Sequence, residues 1–114
     1  MTVTTETETP AGTRAGFALI LTTAAAAAAI RQTPVRPEGK AGYIAGLQQA
    51  LRVYAGATDP VQYDHDLRDL ARVLVPVQNI CERTGDRAGL AEAMSHAGAL
   101  LNALQWFRQA GSPI

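Results

Sequence analysis

Cysteine occurs once in the 114 residues, at Cys81, so no internal disulfide can form and the fold must rest on packing, as expected of a protein kept in a reducing, cytoplasmic compartment. Aromatic residues are few: one Trp, three Tyr and two Phe. Neither sign of charge is in excess, ten basic residues balancing ten acidic ones. No net field therefore draws the chain to nucleic acid or to an anionic membrane. Nine of the ten bases are arginines, but they are spread along the chain and not interleaved with aromatics, so nucleic acid is not an expected partner. Runs of β-branched residues are missing, which disfavours sheet. No glycine-rich loop follows a strand, so a phosphate cradle is excluded as well.

What the chain has is alanine, 22 copies of it, much of it in the apolar stretch Ala15–Ile30. The most polar residues there are Thr22 and Thr23, so as a helix it has no evident solvent face and calls for cover on nearly every side. A membrane could supply that cover, but the stretch reaches roughly 24 Å, against about 30 Å of hydrocarbon. Glu6 and Glu8 precede it where a secretory leader would be basic. The expected cover is protein.

Residues 1–13, rich in threonine and stopped by Pro10 and Gly12, read as an N-terminal arm, flexible or partner-bound. Thr13 can cap a first helix from Arg14 to about Gln32, and Pro34 and Pro37 stiffen the link that follows. A second helix runs from Pro37 to Ala55, with Ile44, Leu47, Leu51 and Tyr54 on one stripe. It also carries Gly42, Gly46 and Ala50. A hairpin closing near residue 35 sets Ala24 beside Gly46 and Ala28 beside Gly42, small against small.

Asp59-Pro60 opens a third helix, with Gln62 placed to complete a capping box. Its stripe is Tyr63, Leu67, Leu70, Leu74, Val77 and Cys81, and its phase is unchanged across Pro76, which predicts one helix kinked at Pro76 and ended by Gly85. Asp86 begins a fourth helix to about Ala110, with Leu90, Met94, Ala97, Leu101 and Leu104 as its stripe, widened by Ala93, Leu100 and Phe107. Residues 111–114 form a tail. The fold class is all-α: an up-and-down four-helix bundle, residues 14–110, with an extended N-terminal arm.

No catalytic, cofactor-binding or metal-ligating residue is assigned. The polar run Tyr63-Asp-His-Asp-Leu-Arg-Asp69 suits the start of a helix, its acids favoured by the dipole and Asp64 placed to pair with Arg68. His65 and His96 cannot share a metal, because antiparallel third and fourth helices set them about 15 Å apart. Cys81 falls on the core stripe. The residues singled out for partner binding are Phe17, Leu21, Trp106 and Arg108, aromatic and arginine residues being the usual anchors of interfaces. The expected function is a non-catalytic structural or accessory protein that self-associates as a homo-oligomer or docks on a larger assembly. The alternatives are a small ligand- or metal-binding bundle or enzyme subunit and, last, a single-span membrane protein.

Overall fold

A computed structural model describes residues 12–30 and 37–114. The rest of the expected arm and most of the proline link lie outside the described residues. Those described are helical with no strand among them. Helix α1 is Arg14–Ile30; a 3-10 turn at Pro37–Gly39 leads into α2, Lys40–Ala55; α3 has a proximal segment, Pro60–Arg72, and a distal one, Leu74–Thr84; and α4 is Arg87–Gln109. The two segments of α3 are one helix bent by 15°. This is the expected all-α bundle.

Local signals set the boundaries. The Gly16 amide donates to Thr13 Oγ1 at 3.0 Å, and the Val61 amide to Asp59 Oδ1 at 2.9 Å, each supplying a bond that a helix start lacks. Gln62 does not close a capping box, since its Nε2 donates forward to Asp66 Oδ1 at 2.7 Å. At the end of α3, Gly85 takes φ 75°, while the Asp86 amide reaches back to the Cys81 carbonyl at 2.9 Å. That bond belongs to a Schellman turn, and the left-handed φ is why glycine stands there. A second such turn closes α4, with Gly111 at φ 86° and the Ser112 amide on the Phe107 carbonyl.

The bend in α3 falls at Val73 (φ −68°, ψ −12°), one turn before Pro76. A proline ring crowds the carbonyl four residues earlier, here that of Arg72, so the disturbance appears upstream of the proline itself. Beyond the bend the distal segment packs chiefly on α4, and none of its residues is buried.

The hairpins have the expected registers. Arg14 Nη1 and Nη2 donate to the carbonyls of Ala57 and Tyr54 at 3.1 and 3.0 Å, tying the start of α1 to the end of α2. At the other hairpin, Arg108 lies against Asp64, and Gly89 against Cys81. Helix α2 then runs parallel to α4, and this is where its glycines are used. A Cβ built on Gly42 would overlap the Glu92 carbonyl, 2.8 Å from its carbon; one on Gly46 would sit 2.6 Å from the His96 oxygen and 2.7 Å from Ala99 Cβ. The glycine face thus packs on α4 and not on the alanines of α1, a correction to the small-against-small pairing expected of the first hairpin.

That close seam also rotates α4. Ala99 and Ala103 turn inward beside Leu100, Leu104 and Phe107, leaving Met94 56% and Leu101 50% exposed, although both lay on the expected core stripe. The apolar stripe of α4 is wide, and the edge that turns to α2 is the one carrying alanines, because only small side chains there permit contact with a bare backbone. Among the described residues no helix is long and apolar enough to cross a membrane. Helix α1 instead buries Gly16, Phe17, Leu21 and Ala28 against the bundle and leaves Leu19 and Ile30 exposed.

Candidate functional site

The residues expected to bind a partner separate into two groups. Phe17 and Leu21 are completely buried within the chain's own core, so neither side chain is available to a second molecule. As surface contacts these two assignments do not stand: Arg14, anchored on α2, fixes the rotation of α1 so that its largest residues point inward. Trp106 is half-buried against the core, and Arg108 is on the surface.

Phe17 belongs to a quartet to which every helix contributes one ring: Phe17, Tyr54, Tyr63 and Phe107. Their centroids lie 4.7–6.4 Å apart with edge-to-face planes. That geometry sets the positive edge of one ring against the negative face of the next. The polar tips are satisfied as well: the Tyr63 hydroxyl donates to the Ala50 carbonyl at 3.0 Å and the Tyr54 hydroxyl to the Pro113 carbonyl. Burial pushes the Tyr63 hydroxyl well above its ordinary range, and burial also raises that of Tyr54 despite the Arg14 guanidinium 4.8 Å from its ring centroid. Both are hydrogen-bond donors at neutral pH and not acid-base groups. The quartet is structural.

Arg108 makes a two-pronged contact with Asp64, Nε to Oδ2 at 2.8 Å and Nη2 to Oδ1 at 3.1 Å, and Arg68 adds a third bond at 2.9 Å. The hydrogen bond from Arg108 holds the Asp64 carboxyl below the ordinary carboxylate value. The pair with Arg68 follows from the spacing of four along α3. The pair with Arg108 was readable from the register of α3 and α4, which sets positions 64 and 108 level. Arg108 therefore clamps the two helices together.

His65 lies on the surface within 3.2 Å of Asp69, whereas His96 is half-buried between α2 and α4 with its Nε2 2.7 Å from Gln49 Oε1. The two are not brought together, and no group of three or more His, Cys, Asp or Glu side chains among the described residues could hold a metal ion. Desolvation, with Arg52 as the next cause, depresses the His96 pKa below 6.5, partly opposed by Glu92. Over the interval between the folded value and 6.5, the unfolded chain binds more protons than the folded one. His96 should then contribute its full stability above about pH 6.5 and lose it as the pH falls through that value and on past the depressed one. Denaturant titrations from pH 8 to pH 5 should show this decline, and His96→Gln should flatten it. A slope unchanged by the substitution would assign the loss elsewhere.

The feature that periodicity missed is the apolar surface that α3 and α4 leave exposed. Around α4, Ala99 and Ala103 face α2, Ala97 and Leu104 come next toward α3, and Met94 and Leu101 lie beyond them. Around α3, Tyr63 reaches the Ala50 carbonyl of α2 and Asp66 borders the cavity that Val53, Gly56 and Ala57 line, while Asp64 faces Arg108 of α4; Val73, Val77 and Ile80, exposed by 63, 43 and 52%, follow the phase of Asp66. Compared with family models, curated proteins and solved structures, the chain matches none.

Proposed function

We propose that this all-α bundle is a non-catalytic structural or accessory protein, which self-associates or docks on a larger assembly through a helical face. The observation that carries the reading is the distal segment of α3: Leu74–Thr84 is rich in valine, isoleucine and leucine, yet none of its residues is buried. A contiguous apolar surface of a few hundred Å² is the usual mark of an interaction site. We assign the contact to the exposed apolar residues of α3 and α4, Val73, Val77, Ile80, Met94 and Leu101, and to the outer side of α1, in place of Phe17 and Leu21, with Arg108 and Trp106 at the far end of the bundle. Native mass measurement of the protein taken from its own cells tests the proposal. Recovery of the bare monomer alone, under conditions that keep weak complexes intact, would overturn it.

A further inference from the structure

Resting on the interaction role proposed above, we infer that the outer face of α1 is the seam of a dimer, in which the α1 helices of two copies of this chain pack antiparallel about a two-fold axis.

The absence of charge sets α1 apart. The other helices carry charge on their outer positions in the usual way: Arg52 is exposed on α2, Arg68 and Arg72 on α3, Glu92 and Arg108 on α4. On α1 no residue exposed after Arg14 is charged. Arg14 itself is turned aside, bonded to the carbonyls of Ala57 and Tyr54. Among the exposed residues Ala15, Leu19, Thr22, Ala26 and Ala29 follow one another at spacings of four and three, the spacing of a seam between paired helices, and Thr23 and Ile30 widen it. Within its own chain α1 packs chiefly on α2, so the bundle leaves this side bare. The Thr22 hydroxyl donates to the Ala18 carbonyl at 2.9 Å, so covering it strands no donor.

The sizes of these residues name the occupant. Leu19 and Ile30 are the large side chains of the face, exposed by 53 and 79%. A second α1, turned about an axis between positions 22 and 23, brings its Ala26 against Leu19 and its Ala15 against Ile30. Each large side chain then meets a small one, and Thr22 and Thr23 of both copies lie at the axis, as an isologous contact requires. A parallel pairing would instead set Leu19 on Leu19 and Ala26 on Ala26, crowding one level and leaving a void at another.

Such a seam buries roughly 500 Å² on each copy, and the total of about 1,000 Å² is at the low end of specific interfaces. The dimer is therefore weak, with a dissociation constant on the order of 50 μM.

Sedimentation equilibrium of the purified full chain, over roughly 5–500 μM to bracket that constant, tests the dimer. The mass should rise from one chain toward two. Ala26→Glu, which places carboxylates in the seam, should stay monomeric throughout with unchanged helical circular dichroism, since position 26 is exposed in the single chain. Leu19→Ala opens a void and Ala26→Leu sets leucine on leucine, so each should weaken the dimer by about tenfold. Combining them exchanges the two sizes and should restore it. A wild type monomeric at every concentration, a dimer that tolerates Ala26→Glu, or a combined variant no tighter than the single ones would each overturn the antiparallel dimer. So would a monomeric chain that floats with phosphatidylcholine vesicles, which would give the face to lipid. A monomeric purified chain that still carries another component when isolated from its own cells would overturn the dimer and leave the broader docking role standing.

Discussion

Replacing Gly42 with alanine should destabilise the bundle by about 2–3 kcal/mol, although alanine is the better helix former. The added Cβ would overlap the Glu92 carbonyl, and the two closest atoms it meets are helical backbone, which cannot swing aside as a side chain can. Helices α2 and α4 would have to separate, and every contact along the seam would loosen with them. Gly46→Ala should act in the same direction, its Cβ meeting the His96 carbonyl at 2.6 Å and Ala99 Cβ at 2.7 Å. Gly56→Ala is the control: its φ of −95° suits any residue and the nearest atom is 4.0 Å away, so a change within about 0.5 kcal/mol is expected. Urea denaturation of the three variants measures this. A Gly42→Ala protein as stable as the parent would mean that the two backbones do not approach as described.

The second large effect is expected at Phe17. Phe17→Ala removes the ring that meets Tyr54 at 4.8 Å, Phe107 at 5.4 Å and Tyr63 at 6.4 Å, and it opens a cavity where all four helices converge. Truncations of this kind cost about 3–5 kcal/mol. Because α1 packs mainly on α2, with Phe17, Leu21 and Arg14 as its principal anchors, the loss should be uneven. Hydrogen exchange should show the amides of α1 opening well before those of α2 and α4. Uniform acceleration in all helices would instead mean that α1 does not detach as a unit.

Helix boundaries were legible in the sequence because they are local. Thr13, Asp59, Asp86, Gly85 and Gly111 each act within a few residues of their position. The hairpin registers followed from the same punctuation, and Arg14 on Tyr54 and Arg108 on Asp64 agree with them. Which face of a helix turns inward was less legible. Met94 and Leu101 lie at core spacing with Leu104, but Leu100 and Phe107 widen the same stripe, and periodicity cannot say which edge of a wide apolar stripe turns inward. The choice was made by Gly42 and Gly46, through a contact with residues about fifty positions away. Val77 kept the phase of its stripe, yet beyond the bend at Val73 the segment finds chiefly α4 to pack against, so correct phase did not bring burial. Two of the four partner-binding residues, Phe17 and Leu21, are covered by the chain's own helices, whereas Trp106 and Arg108 keep exposed surface.

The parallel alignment of α2 with α4 bears on the order of assembly. Each hairpin can form from nearby sequence once its turn is made, whereas the glycine seam joins segments that meet only after α4 has been built. Loop-closure entropy opposes that step until the hairpins themselves are in place. The close contact at Gly42 and Gly46 is therefore expected to be among the last to form. Substitutions at Gly42 and Gly46 should then appear mainly as faster unfolding, with the rate of folding little changed.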